Sequence, residues 1–251
     1  NMVYVPFEVT GDIKMAVKGA FELGIVGMNI TVPYKTDVIE SLSDIDPIAE
    51  RIGAVNTLVR TKEGYKGYNT DMLGLERAVL SEGINLNGET AVLLGAGGAA
   101  RAAAFMCVRN KVNKLYILNR TVSKAEDIAA DLNKYIVSEG LFTKVITLPI
   151  DEYNSIKEDE LIVFQCTKIG LADTDKAVIN DTAFYDKVKY GVDLIYRDDT
   201  EFINLVRKSG AKAYNGLKML MYQGIIAYEL WNELSVPEKI VQGVKEVLEN
   251  G

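Results

Sequence analysis

The chain has 251 residues, 48% hydrophobic and 25% charged, with a net charge of −7; this is the balance of an ordinary soluble globular protein and excludes disorder, collagen-like repeats and a membrane span, since no run of about 18 apolar residues occurs. The acidic balance argues against general affinity for nucleic acid or anionic lipid. Two cysteines without CxxC spacing suit a reducing cytoplasm and leave no metal site, and the absence of histidine excludes Ser–His and Cys–His triads, His-ligated zinc and a His general base.

Val3–Val9 is rich in β-branched and aromatic residues and reads as a strand. Ile13, Ala16, Val17, Ala20 and Phe21 recur at helical spacing. A strand over Gly27–Val32 stops at Pro33, and a short helix is expected over Tyr34–Leu42, with another starting near Asp46–Pro47. Strands follow at Ala54–Val59 and Tyr65–Tyr68, joined by a turn at Glu63–Gly64, and then a helix at Asp71–Ser81. The Gly/Asn-rich stretch Glu82–Gly88 reads as an interdomain linker. Beyond it strands and helices alternate: strands at Thr90–Leu94, Lys114–Asn119, Val145–Leu148, Leu161–Thr167, Gly191–Tyr196 and Ala211–Tyr214, with helices at 98–109, 121–135, 183–188 and 200–208. That alternation predicts a parallel, doubly wound α/β sheet. Two final helices are expected over 217–233 and 236–249, the second opened by the capping box Ser235-Val-Pro-Glu238.

Gly95-Ala96-Gly97-Gly98-Ala99-Ala100 fits G-x-G-x-x-A where an apolar strand meets a helix. The first glycine permits the tight turn, the second lets the backbone approach a pyrophosphate, and the helix start offers unpaired N–H donors. An NAD enzyme usually carries Asp or Glu at the end of the next strand to bind the ribose 2′-OH. This chain has Asn119-Arg120-Thr121 there, with Lys124 one turn later. Arg120 can fork onto a 2′-phosphate or stack on the adenine, Thr121 can donate a hydroxyl bond and Lys124 adds charge, so the pattern favours NADP(H) over a solvated helix start.

Three blocks in the first half, Asn29-Ile-Thr31-Val-Pro33-Tyr-Lys35, Gly53-Ala-Val-Asn56-Thr57 and Gly67-Tyr-Asn69-Thr70-Asp71, resemble signatures of the shikimate dehydrogenase family. Gly95–Ala100, Asn119-Arg-Thr121 and Gly216-Leu-Lys-Met-Leu-Met-Tyr-Gln223 supply three more, in the family's order. The resemblance implies an N-terminal α/β substrate-binding domain (1–84 with 217–251) and a Rossmann-type doubly wound parallel-sheet NADP domain (85–216). It further implies reversible reduction of 3-dehydroshikimate to shikimate in aromatic amino acid biosynthesis, by a cytoplasmic monomer or homodimer with no nucleic-acid or membrane partner.

Hydride transfer to a ketone leaves an alkoxide that needs a positioned acid, and without histidine Lys35 can serve. Asp71, opening a helix, can bond to Lys35 and the reacting hydroxyl. On residue type alone, Lys35 reads first as an exposed cation and Asp71, more strongly still, as a helix cap; the resemblance reverses both and assigns them to catalysis. It also carries Asn29, Thr31, Asn56, Asn69, Gln223 and Tyr196 into the substrate site, and Thr167 and Gly170 to the nicotinamide side. The chain departs from the family in three places. Asn1–Gly11 supplies neither the opening strand nor the Ser-x-Ser pair that bonds the substrate carboxylate, so either the chain starts after them or it holds the carboxylate differently. Lys124 stands where Arg is usual, and Gln165-Cys-Thr167 where an Asn-rich loop is usual. Two other readings stay open: a quinate/shikimate enzyme using NAD, and a dinucleotide-binding module that has lost its substrate.

Overall fold

The computed structural model describes residues 2–250. It divides into two compact units, Asn1–Thr70 with Ala227–Ser235, and Asp71–Ile226 with Val236–Gly251.

In the first unit, α1 (Ile13–Glu22) starts where the Asp12 carboxylate accepts from the Lys14 amide at 2.8 Å, and it buries Ile13, Val17 and Ala20. β1 (Gly27–Asn29), a 3-10 turn at Asp37–Ser41, β2 (Asp44–Ile45), α2 (Pro47–Ile52), β3 (Thr57–Arg60) and β4 (Tyr65–Tyr68) follow. α2 has Pro47 in its first turn, capped by Asp46, and ends at Gly53 with φ +69°. The sheet order is β1-β3-β4-β2, antiparallel except where β2 pairs with β4. Its core gathers Val17, Val38, Ala49, Val55, Leu58 and Tyr65. The Trp231 indole donates to the Leu58 carbonyl at 2.9 Å, and a Cβ on Gly27 would sit 2.1 Å from the indole nitrogen, so only glycine fits there.

The strand expected at Val3–Val9 does not form. The segment joins no ladder, and Val3, Tyr4 and Phe7 are 86%, 72% and 76% exposed. β-branched composition measures fit to a paired, half-buried surface. Here the segment touches its unit through single side-chain contacts, as where the Tyr34 hydroxyl donates to the Val9 carbonyl at 2.9 Å. The helix expected over Tyr34–Leu42 shrinks to the 3-10 turn, and β2 is too short to show a period in sequence.

In the second unit, α3 (Thr70–Ser81, whose first residue belongs to the other unit) precedes β5 (Thr90–Leu94), α4 (Gly98–Arg109), β6 (Lys114–Asn119), α5 (Val122–Ser138), β7 (Lys144–Pro149) and a 3-10 turn, Ile150–Ser155. Then come β8 (Leu161–Gln165), α6 (Thr182–Tyr185), β9 (Val188–Asp193), α7 (Glu201–Lys208), β10 (Lys212–Tyr214), α8 (Leu217–Asn232, whose residues from Ala227 on belong to the first unit) and α9 (Glu238–Asn250). The six strands are all parallel, in the order β10-β9-β8-β5-β6-β7. β5, β6 and β8 are buried apolar runs, as strands covered on both faces require, while the edge strand β7 is only half-buried, and Ala100, Ala103 and Ala104 bring α4 close to the sheet. β8 and β9 end two and three residues before the expected Thr167 and Tyr196, because Gln165 and Asp193 turn their side chains onto the loop amides that follow. No described helix is long and apolar enough to cross a membrane.

Candidate active site

The strand order changes direction at β5, with β6 on one side and β8 on the other. Ligands of such sheets bind beyond the strand C-termini at this switch point. Gly95 directly follows β5 with φ +110°, and a Cβ there would come within 2.9 Å of Thr167 Cγ2, so the turn needs glycine on both counts. Ala96 is half-buried, while Gly97, Gly98 and Ala99 are exposed, and a Cβ on Gly97 or Gly98 would meet nothing within 4 Å. Gly97 is the N-cap of α4 and offers no side-chain bond to the first-turn amides. A bare helix N-terminus under open space is an anion cradle. Next to it, β6 ends at half-buried Asn119, which donates to the Thr121 carbonyl at 2.8 Å. Arg120, Thr121 and Lys124 are exposed, and Thr121 caps α5 without a side-chain bond. Gly-rich turn and basic turn therefore fit a phosphorylated dinucleotide. Among the described residues no cluster of three or more His, Cys, Asp or Glu side chains could hold a metal.

Beyond β8, the Gln165 carboxamide accepts from Thr167 N and Oγ1, both at 2.7 Å, and donates to the Ile169 carbonyl at 2.8 Å. Gly170 turns with φ +112° and donates to Asp175 at 2.8 Å. Beyond β9, fully buried Asp193 accepts from Ile195 N at 3.0 Å and Thr200 Oγ1 at 2.7 Å. Burial pushes its carboxyl up to about 6 against these bonds. Gln165, Asp193 and Thr200 escaped sequence reading. A carboxylate ending an apolar strand was the available signal.

The same unit gathers three expected substrate residues. A Cβ on Gly74 would lie 2.7 Å from Gln223 N, so α3, with Asp71 in its first turn, crosses α8 where Gln223 sits. Gln223 is half-buried and donates to the Leu220 carbonyl at 3.1 Å. Gly216 N donates to the Ile195 carbonyl at 2.8 Å, and a Cβ there would strike Leu194 O at 2.5 Å. This close approach carries Tyr196 to the start of α8. The Tyr196 phenol is raised by burial and then by the Asp71 carboxylate, whose charge reaches it.

In the first unit, Asn56 is buried, and its carbonyl oxygen accepts from Thr70 N at 2.7 Å and from the Thr57 and Thr70 hydroxyls at 3.2 Å each. Asn69 donates to the Ala54 carbonyl at 3.0 Å, and Asn29 to Thr57 Oγ1 at 3.1 Å, while Asn29 Oδ1 accepts from Tyr4 at 3.1 Å. Asn29 and Asn56 therefore share one polar cluster with Thr57 and Thr70, two members the sequence did not single out. Thr31 is exposed and Lys35 half-buried; the Lys35 carbonyl accepts from Val55 N at 2.8 Å, tying the segment after Pro33 to the approach to β3.

Residues 1–58 match the family described as the shikimate dehydrogenase substrate binding domain, and residues 77–177 match the family described as shikimate / quinate 5-dehydrogenase. The chain is 37% identical to a shikimate dehydrogenase (NADP(+)) of Desulforamulus reducens, over 97% of this chain and 84% of that protein. Shikimate 5-dehydrogenase of Listeria monocytogenes, in complex with shikimate and NAD, superposes with a TM-score of 0.85 at 28% identity, covering 96% of this chain and 84% of that one. The Thermus thermophilus enzyme, in complex with NADP(H) and shikimate, gives 0.78 at 28% identity, covering 95% and 83%.

Proposed function

The chain belongs to the shikimate dehydrogenase family, and from that premise we propose that it is an NADP-dependent oxidoreductase interconverting 3-dehydroshikimate and shikimate. The observation that carries this reading is the uncapped, side-chain-free start of α4 beside the exposed Arg120, Thr121 and Lys124. The resemblance adds the division of labour: 1–84 with 217–251 holds the substrate and 85–216 the cofactor. The buried, unpaired thiols of Cys107 and Cys166 suit a cytoplasmic location.

Bound NADP(H) supplies the hydride in one direction and accepts it in the other. Gly95, whose own N–H is taken by the Leu118 carbonyl, turns the chain so that Ala96, Gly97, Gly98 and Ala99 would hold the cofactor's pyrophosphate on backbone N–H groups, with no side chain intervening at Gly97 and Gly98. Asn119, Arg120, Thr121 and Lys124 hold the 2′-phosphate end; a carboxylate in their place would repel it. Thr167 and Gly170 flank the nicotinamide.

As the ketone oxygen of 3-dehydroshikimate gains negative charge, the Lys35 ammonium delivers a proton to it; in the oxidative direction the neutral Lys35 amine takes that proton back. Asp71 orients the same hydroxyl by accepting its hydrogen bond. Asn29, Thr31, Asn56, Asn69, Tyr196 and Gln223 meet the remaining hydroxyls and the carboxylate with uncharged polar groups that donate and accept hydrogen bonds.

The test follows NADPH absorbance with purified protein and shikimate, with NAD and quinate run in parallel. Reduction of NADP by shikimate, faster than any other pairing, is expected. A preference for NAD or quinate moves the assignment to a quinate/shikimate enzyme. NADPH binding without turnover of either substrate leaves a binding module.

A further inference from the structure

β8 and β9 are neighbours, and Gln165 stands opposite Asp193 at the last rung of their ladder. The two loops leaving this rung carry the proposed nicotinamide residues, Thr167 and Gly170, and the proposed substrate residue, Tyr196. Each loop is folded on its own strand end: Gln165 binds Thr167 and Ile169, while Asp193 binds Ile195 and Thr200. At the rung they are joined by Leu194 N donating to the Gln165 carbonyl at 3.0 Å and by a long bond, 3.5 Å, from Gln165 Nε2 to Asp193. Farther out, the joining falls to Arg197. Its guanidinium grips Asp199 with two parallel bonds of 3.0 Å each. The remaining edge reaches across to the other loop, donating to the Leu171 carbonyl at 3.1 Å and pairing with Asp173 at 2.6 Å. Asp175, accepting from Gly170 N at 2.8 Å and Ala172 N at 3.1 Å, stiffens the segment that Arg197 grips.

We infer that Arg197 is a positioning residue: it latches the loop of Thr167 and Gly170 to the loop of Tyr196, so that the nicotinamide side and the substrate side of the site are set together as one piece. A planar fork suits this, because one side chain can hold its own loop bidentately and still present donors to the other. Once the first ligand has ordered one loop, the latched second loop is already ordered for its partner, and binding on one side strengthens binding on the other. The inference rests on the cofactor and substrate roles proposed above.

The test measures the dissociation constant of NADPH by its fluorescence, with and without saturating shikimate, a pair that cannot react. The proteins are wild type, Arg197→Gln, Asp173→Asn and the double variant. Arg197 is at the surface, its side chain 32% exposed, so the variants should remain folded, which thermal melting checks. In wild type, shikimate is expected to tighten NADPH about 5- to 10-fold, the low end of coupling between sites. Arg197→Gln should bring that ratio close to one, Asp173→Asn, which leaves the bond to the Leu171 carbonyl, should lower it part of the way, and the double variant should lose no more than Arg197→Gln. A ratio of one in wild type, or an undiminished ratio in Arg197→Gln, overturns the latch. If wild type neither turns over nor binds shikimate, the proposed function fails separately. The latch is then judged on NADPH alone, where unchanged affinity in Arg197→Gln overturns it and a weakened one supports it.

Discussion

Gly74 and Gln223 mark the contact between α3 and α8: a Cβ at Gly74 would lie 2.7 Å from the Gln223 amide nitrogen and 2.9 Å from both Gln223 Cβ and the Met219 carbonyl oxygen. These are mostly backbone atoms with nowhere to go. Gly74→Ala is therefore expected to destabilise by about 1–3 kcal/mol, as overpacking does. It should also raise the KM for shikimate, because α3 carries Asp71 and α8 carries Gln223. Gly19→Ala is the control: it is helical, with nothing within 4 Å of its Cβ, and should stabilise by about 0.4–1 kcal/mol. Urea unfolding of the two variants reads both signs.

Lys35→Met removes the proposed acid while leaving an unbranched side chain of similar length. NADPH affinity should stay at the wild-type value while kcat falls by about 100- to 10,000-fold, the range for losing a general acid. Near-native turnover would remove Lys35 from the proton transfer.

Arg120→Ala addresses the cofactor alone. A hydrogen bond to a charged group is worth about 1.5–3 kcal/mol, so NADP should bind roughly 10- to 150-fold more weakly while NAD is little affected. Equal losses for both dinucleotides would place Arg120 on the adenine instead of the 2′-phosphate.

Asn56→Ala deprives the buried Thr70 amide and two hydroxyls of their common acceptor. The two hydroxyls, 3.0 Å apart, can pair with each other, and leaving the buried Thr70 amide unpaired costs about 1–3 kcal/mol. A drop in urea-unfolding free energy below a few tenths of a kcal/mol would mean that water takes the place of the carboxamide.

Two carboxylates should make stability respond to pH in opposite directions. Asp193 is raised to about 6 by burial, so its contribution is full below the unfolded value of about 3.9 and is lost as pH rises through about 6. Glu158 is held down to about 2 by its bond to Lys114, so its contribution is present above about 4.3 and lost as pH falls through about 2. Relative to Asp193→Asn, wild type should lose stability between about pH 4 and pH 6, on the order of 2–3 kcal/mol. Relative to Glu158→Gln, it should lose stability between about pH 4 and pH 2. A pH-independent difference in either comparison removes the corresponding carboxylate.

What could be read from the amino acids alone was what local chemistry dictates. β5, α4, β6 and β4 occupy the spans their periodicity and punctuation imply, and Gly95–Ala99 forms the bare turn that its glycines require. Such features arise within a few residues, where side-chain period, caps and φ preferences act directly. Val3–Val9 shows the limit: its composition is that of a strand, but a strand exists only if a partner edge accepts its hydrogen bonds. The polar contacts were decided by tertiary structure. Asn56 meets Thr70 across 14 positions and Gln165 meets Asp193 across 28, while Arg197 reaches back 26 positions to Leu171. No period links residues so far apart. Their meeting depends on strand order and loop path, and burial then forces each polar group to find whichever partner the fold has brought beside it.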